Sequence, residues 1–236
     1  KKLTVFFSDI KGFTEITDRL EPEVLSTLLN SYLNEMSKIA LKYGGTIDKF
    51  VGDAILIFFG DPETKGDKED AYSCVLMALE MQERMHHLKN LWEGQGITNP
   101  LEIRIGINTG YCNVGNFGSE NRLDYTIIGG EVNLASRLES NAMTGQILIS
   151  QETYALIKKH IVCEKKDEIK VKGIAHKIQT YQVVGSYKNI AQKRKILNEE
   201  FDGFNLNIDL NISKKNKVIT SLENTLKQLK KNEKSN

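Results

Sequence analysis

The chain reads TIDKFVGDAILIFF from Thr46 to Phe59, and this stretch decides the fold. Its two apolar runs flank Gly52-Asp53, a dipeptide that favours a tight β-hairpin turn. Another apolar run near the N-terminus leads into Asp9 and predicts a buried strand. If that strand lies beside the hairpin, the carboxylates of Asp9 and Asp53 meet at one end of a sheet.

The spacing of the other apolar residues predicts alternating helices and strands. A first helix begins at Pro22 and stops at Gly44-Gly45, and a second covers about 67–91. We predict a second hairpin around Gly110, built from strands 102–109 and 112–117. Further elements follow: strand 124–127, helix 131–142, strand 147–149, helix 151–158, and strands near 161–171 and 178–184. This mixed order predicts an α+β fold: a ferredoxin-like core with helices packed on a mostly antiparallel sheet.

The composition limits the class of protein. The chain has 236 residues, is 40% hydrophobic and has a net charge of +1, so it lacks the strong positive field of many nucleic-acid-binding proteins. No stripe of aromatic and basic residues suggests stacking on bases, so we expect no nucleic-acid partner. No apolar run approaches the roughly 20 residues of a membrane span. The cysteines, at positions 74, 112 and 163, have neither zinc nor disulfide spacing, which indicates a reducing cytoplasmic location.

The chain begins at Lys1 and changes character after residue 186. We expect it to be a piece of a longer protein whose N-terminal regulatory region, absent from this chain, could include a membrane anchor. We expect 1–186 to form one domain and 187–236 a C-terminal extension. The extension contains one predicted strand, an amphipathic helix over Val218 to Leu229, and a disordered end. Packing on the core or on a partner subunit is the simpler interpretation, and a basic membrane-surface helix is the alternative.

Asp9 and Asp53 are candidate metal ligands. Hard oxygen ligands suit Mg²⁺ or Mn²⁺, and two carboxylates can bridge a pair of such ions. The backbone carbonyl of Ile10 is a further candidate ligand. Taken alone, the two residues are better explained as ordinary turn aspartates.

Other motifs in the sequence support a functional role for Asp9 and Asp53. The sequence resembles the catalytic domain of the class III nucleotidyl cyclases, the family of adenylyl and guanylyl cyclases. The segments that carry the resemblance are FSDIKGFT (7–14), KFVGDA (49–54), RIGINTG (104–110), YTIIGGEVNLASR (125–137) and VKG (171–173). They follow the family's order and span roughly residues 1–185, whereas the C-terminal extension lies outside the resemblance.

The resemblance implies that Asp9 and Asp53 hold two Mg²⁺ or Mn²⁺ ions. These ions would promote in-line attack of the ribose 3′-hydroxyl on the α-phosphorus of ATP. Asp9, a metal-bound hydroxide and a substrate phosphate all remain candidates for the general base.

The same resemblance assigns roles to four other side chains. Asn133 would orient the ribose and Arg137 would stabilise charge on the reacting phosphate; their four-residue spacing places both on one helical face. A helix-capping amide and a surface arginine are the alternatives. Arg104 and Lys172 would bind the terminal phosphates, and structural ion pairs are the alternative for both.

The resemblance also implies which base is bound. Lys49 would donate to the N1 acceptor of adenine, and the hydroxyl of Thr126 would accept from the N6 amino group. Guanine presents the opposite pattern, so Lys49 disfavours GTP by about 1–3 kcal/mol. Thr126 in place of aspartate is similar to a threonine-bearing, bacterial-type subgroup. We therefore expect an adenylyl cyclase that makes 3′,5′-cyclic AMP and pyrophosphate.

In the family the site forms between two chains, and this chain contains both sets of residues. The resemblance therefore implies a head-to-tail homodimer with two equivalent sites. One chain would supply Asp9, Asp53 and Arg104, and the other Lys49, Thr126, Asn133, Arg137 and Lys172.

Three other functions are compatible with parts of the sequence. One is a catalytically silent or regulator-dependent nucleotide-binding dimerisation module, and another is a guanylyl cyclase. A diguanylate cyclase fits less well, because the GGEV segment at 129–132 leads into a predicted helix, where that family has a hairpin.

Overall fold

The computed structural model describes residues 1–94, 97, 101–171, 177–187, 196–201, 204–209 and 215–233. The chain divides into two compact units, Lys1–Ser186 and Tyr187–Asn236. None of the described helices is long and apolar enough to cross a membrane.

A seven-stranded sheet forms the centre of the first unit. Its strands are β1 (Lys2–Ile10), β2 (Thr46–Val51), β3 (Ala54–Phe59), β4 (Ile103–Tyr111), β7 (Ile147–Ser150), β8 (Ile161–Lys165) and β9 (Thr180–Ser186). They lie in the order β2-β3-β1-β4-β7-β9-β8. Every neighbouring pair is antiparallel except β4 and β7, which are parallel. The predicted α+β class with a mostly antiparallel sheet is confirmed.

Helices cover both faces of this sheet. They are α1 (Phe13–Thr17), α2 (Pro22–Tyr43), α3 (Asp67–Gly94), α4 (Gly130–Asn141) and α5 (Gln151–Ile157). On one face, α2, α3 and α5 bury a large core that includes Phe6, Tyr32 and Met81. On the other, Ala135 of α4 packs with Val5 and Phe58. The strand order β2-β3-β1-β4, with α2 and α3 on one face, is the predicted ferredoxin-like core.

The second predicted hairpin was wrong. Strand β4 pairs with β1 and β7, whereas β5 (Asn113–Ser119) pairs with β6 (Arg122–Ile128) in a separate two-stranded sheet. Gly110 lies inside β4, and a Cβ atom there would be 2.5 Å from Cδ of Glu131. A side chain at Gly110 would thus displace the Glu131 side chain of α4, and the glycine is explained by packing beside α4 rather than by a turn.

The second unit contains two strands where the sequence predicted one. Strands β10 (Ile196–Phe201) and β11 (Phe204–Asp209) form an antiparallel hairpin, and α6 (Lys215–Glu233) follows. The sequence of β10, ILNEEF, lacks a clear apolar–polar alternation and was therefore not recognised as a strand. The end predicted to be disordered, 234–236, lies outside the described residues.

Candidate active site

The β2–β3 turn brings Asp53 to the end of β1. The two strands β1 and β3 are antiparallel with Ser8 opposite Ile55, so the turn lies beside the last residues of β1. Gly52 has a φ of 64°, a left-handed conformation that side chains other than glycine rarely adopt. The Ile10 amide donates to Asp53 Oδ2 at 3.0 Å, and the carboxyl group of Asp9 is near enough to that of Asp53 to raise its pKa. Three predicted site residues, Asp9, Ile10 and Asp53, thus lie together.

The two carboxyl groups differ in their cationic partners, since Arg104 lies beside Asp9 only. Partial burial, followed by the neighbouring Asp9 carboxyl, raises the pKa of Asp53 to about 7. Within the described part of the chain, no lysine, arginine or histidine forms an ion pair with Asp53. A cation at this position would favour ionisation of both carboxyl groups.

The chain offers only part of a metal coordination sphere. Among the described residues, no group of three or more histidine, cysteine, aspartate or glutamate side chains is placed to hold a metal ion. Asp9, Asp53 and the Ile10 carbonyl would leave the remaining positions to water and substrate. Mg²⁺ is commonly bound in this way, by one or two carboxylates together with substrate phosphates. The donor set therefore fits the predicted ions.

Arg104 lies next to the carboxyl pair. It is directly opposite Asp9 in the β1–β4 register, and its Nη2 is 3.4 Å from Asp9 Oδ2 and 2.9 Å from Glu139 Oε1. Its Nη1 donates to the carbonyl of Ser140 at 3.4 Å. The buried Nε of Arg104 has no hydrogen-bond partner, and Glu139 Oε1 is not aligned for a hydrogen bond despite its proximity. Arg104 is thus paired with carboxylates but retains an unused donor.

Glu139 was not identified from the sequence. Its side chain is 4% exposed, and burial raises the pKa of Glu139 although Arg104 opposes the shift. A signal was present, because Glu139 follows Ala135 and Leu138 on the apolar face of α4. A carboxylate on such a face requires a partner. The structural ion pair considered for Arg104 therefore exists, and Glu139 is its main partner.

Helix α4 is fixed on the sheet by direct backbone contact. A Cβ atom at Gly106 would lie 2.2 Å from the carbonyl oxygen of Ala135 and 2.2 Å from the amide of Glu139. Beside this contact, Asn108 Nδ2 donates to Glu131 Oε2 at 2.6 Å and to the Glu131 carbonyl at 3.2 Å. Only glycine allows the helix to approach the sheet this closely.

Asn133 and Arg137 lie on the outer, exposed side of α4. Across the described ranges, neither side chain hydrogen-bonds or pairs with Asp9, Asp53 or Arg104. The structure therefore places the two helix residues together but does not join them to the carboxyl pair of the same chain.

Lys49 and Thr126 meet through a third residue. The Thr126 hydroxyl is 2.9 Å from Asp48 Oδ1 and 2.6 Å from Oδ2, and the Lys49 ammonium is 3.2 Å from Oδ1. The Ile127 amide donates to Oδ2 at 3.0 Å. Two predicted base-binding residues from different strands are thus linked by a residue that sequence reasoning missed. The signal was a pair of adjacent charged residues, Asp48 and Lys49, which interrupts the alternation of β2.

Lys172, predicted to bind the terminal phosphates, lies outside the described residues.

The chain is similar in sequence and in overall fold to known proteins. Residues 1–185 match the family model described as the adenylate and guanylate cyclase catalytic domain. The crystal structure of the adenylyl cyclase CyaB from P. aeruginosa is 64% identical, with a TM-score of 0.78 over 80% of this chain and 96% of that one. The guanylyl cyclase Cya2 is 37% identical, with a TM-score of 0.75 over 79% of this chain and 93% of that one.

A curated relative places the domain in a larger protein. The terminal-differentiation-specific adenylate cyclase of Dictyostelium discoideum is 35% identical over 189 residues, which cover 78% of this chain but 9% of that protein. The chain thus spans a small part of this relative's length. The family match over most of the chain and the agreement in fold lead to one conclusion: the chain belongs to the adenylate and guanylate cyclase catalytic domain family.

Proposed function

We propose that this chain is an adenylyl cyclase that converts ATP to 3′,5′-cyclic AMP and pyrophosphate. The observation that carries the proposal is the Asp9–Asp53 pair, two neighbouring carboxyl groups at the sheet end with no cation paired to Asp53 among the described residues. The greater identity to an adenylyl cyclase than to a guanylyl cyclase of similar fold supports the choice of ATP.

The pair would bind two Mg²⁺ or Mn²⁺ ions together with the Ile10 carbonyl. Such ions, when bound, neutralise the triphosphate and favour ionisation of the ribose 3′-hydroxyl. The protein contributes orientation. The Ile10 amide fixes the Asp53 carboxylate, and Glu139 holds Arg104 beside the pair, where the guanidinium group can attract a terminal phosphate.

The base would bind near Lys49 and Thr126. The Lys49 side chain is 43% exposed and its ammonium retains donors beyond the contact with Asp48, so it can donate to adenine N1. The hydroxyl of Thr126 can accept from the 6-amino group of adenine. Guanine has a donor at N1 and an acceptor at C6, so it fits this pair less well.

We propose further that the site is completed by a second copy of the chain. Asn133 and Arg137 are exposed and have no partner within the described ranges, as expected for residues that act on a nucleotide held mainly by another chain. Large apolar side chains are also exposed on the two hairpins near the site: Phe50, Val51, Leu123, Tyr125 and Ile128. A homodimer would bury such residues.

The test is to incubate the purified chain with Mn²⁺ or Mg²⁺ and either ATP or GTP, and to separate the products by chromatography. We expect cyclic AMP and pyrophosphate from ATP and little product from GTP. The matched control is Asp53→Asn, which keeps the shape of the side chain and removes its charge. A folded, dimeric sample that makes no cyclic nucleotide would contradict the proposal and favour a silent nucleotide-binding module.

A further inference from the structure

A buried carboxylate lies behind the two residues proposed to bind the base. The side chain of Asp48 is 1% exposed. Its two oxygens contact three groups: the Thr126 hydroxyl, the Ile127 amide and the Lys49 ammonium. Each is a donor, so the carboxylate is compensated without a metal or a ligand.

The backbone brings Asp48 to this position by an irregularity in β2. The β2–β3 register places Ile47 opposite Ile57 and Lys49 opposite Leu56, so Asp48 is an extra residue in its strand. Side chains along a regular strand alternate between faces, whereas a β-bulge interrupts the alternation and redirects a side chain. The bulge therefore lets the neighbouring Asp48 and Lys49 contact each other and Asp48 also reach Thr126 on β6.

The contact decides what Thr126 offers to a base. A threonine hydroxyl has one proton and two lone pairs, and an ionised carboxylate can only accept. With Oδ2 of Asp48 at 2.6 Å and Oδ1 at 2.9 Å, the Thr126 proton is directed to the carboxylate. The hydroxyl then has only lone pairs for a ligand.

We propose that Asp48 is a positioning residue that sets the base selectivity of this site. By holding the Thr126 proton, it makes the hydroxyl an acceptor only, which suits the 6-amino group of adenine and opposes the 6-oxo group of guanine. Asp48 also contacts the Lys49 ammonium, so the proposed donor to the base lies beside Thr126. The inference rests on the proposed function, because it concerns the base bound in that site.

The first test is Asp48→Asn, which has nearly the same shape. The amide can donate to the Thr126 oxygen, which frees the hydroxyl proton to face guanine. We expect the ratio of kcat/KM for ATP to that for GTP to fall by about tenfold or more. A purely structural role would lower both values together and leave the ratio unchanged, and an unchanged ratio in a folded variant overturns the inference.

A double-mutant cycle tests whether the effect passes through Thr126. Thr126→Val removes the hydroxyl, so adding Asp48→Asn to Thr126→Val should shift the ATP:GTP ratio far less than adding it to the unaltered chain, and the remaining shift would come through Lys49. If Asp48→Asn shifts the ratio equally with and without the hydroxyl, Asp48 does not act through Thr126 and the inference is wrong.

The unaltered chain provides a test that does not depend on a variant folding. Purine riboside triphosphate has no group at position 6, and 6-methoxypurine riboside triphosphate has an acceptor there; both keep N1 as an acceptor for Lys49. If Thr126 can only accept, kcat/KM should be highest for ATP, lower for purine riboside triphosphate and lowest for 6-methoxypurine riboside triphosphate. If the 6-methoxy compound equals or exceeds the unsubstituted one, the Thr126 proton is free and the inference fails, while cyclic AMP from ATP still supports the proposed function. If ATP gives no cyclic AMP, the proposed function itself fails, and the inference falls with it.

Discussion

Asp48 and Asp53 lie in one hairpin, yet their surroundings are opposite. Asp48 is surrounded by donors: a hydroxyl, a backbone amide and an ammonium. Asp53 accepts a hydrogen bond from the backbone amide of Ile10 and lies near the carboxyl group of Asp9, with no ion-pair partner in the described structure. The same residue type is thus a fixed internal support at one position and a candidate cation ligand at the other. The difference comes from the partners rather than from the residue.

We expect the largest loss of activity from a substitution at Asp53. We expect Asp53→Asn to lower kcat by about 10³-fold or more, because the metal pair would lose a charged ligand. Thermal stability should stay the same or rise, because the substitution removes repulsion with Asp9. Steady-state kinetics and thermal unfolding of the same sample measure both. A stable variant with nearly full activity would exclude Asp53 as a metal ligand.

The second prediction concerns a site shared by two chains, in which Asp53 of one chain acts together with Arg137 on α4 of the other. Asp53→Asn and Arg137→Ala should each be almost inactive alone. After mixing under conditions that allow subunit exchange, random pairing should restore about a quarter of the wild-type activity, since half the dimers would have one intact site. Activity assays after mixing, alongside sedimentation, provide the measurement. Lack of recovery in a sample shown to contain heterodimers would contradict the shared site.

The third prediction concerns stability at the other carboxylate. Asp48→Ala leaves the Ile127 amide and the Thr126 hydroxyl without their buried acceptor, so we expect the free energy of unfolding to fall by about 1–3 kcal/mol. Asp53→Ala is the matched control and should cost less, because its loss also relieves charge repulsion. Urea denaturation of both variants gives the two values. Equal losses of unfolding free energy would contradict the assignment of Asp48 to a structural role and Asp53 to metal binding.

The smallest expected effect is the pH dependence of metal binding. Since the pKa of Asp53 is raised to about 7, a divalent ion must displace a proton below that pH. Apparent Mn²⁺ affinity should therefore rise with pH up to about 7, by at most about tenfold per pH unit, and then level off. Calorimetry in buffers of different ionisation enthalpy would detect the released proton. Binding without proton release at pH 6 would show that Asp53 is already ionised.

The sequence was sufficient where the information is local. The hairpin from Thr46 to Phe59 and the helix from Pro22 to Gly44 follow from turn residues and apolar spacing, and the structure has both with nearly the predicted bounds. The meeting of Asp9 and Asp53 followed from placing two strands side by side.

The sequence was insufficient where partners are distant or the pattern is irregular. The pairing of β5 with β6 depends on contacts that apolar spacing does not encode, and Gly110 was mistaken for a turn residue when it serves helix packing. Glu139, the partner of Arg104, is far from it in the chain. The role of Asp48 depends on a bulge, which an alternating pattern cannot reveal.

The backbone contact at Gly106 also limits how this domain can be controlled. Because the Ala135 carbonyl and the Glu139 amide leave no room for a Cβ atom there, α4 cannot slide or roll on β4 without breaking close packing. A change in the position of Asn133 and Arg137 relative to β4 would therefore have to disrupt this contact. In the proposed dimer, rotation of one catalytic domain against the other would reposition these residues without disturbing the contact at Gly106.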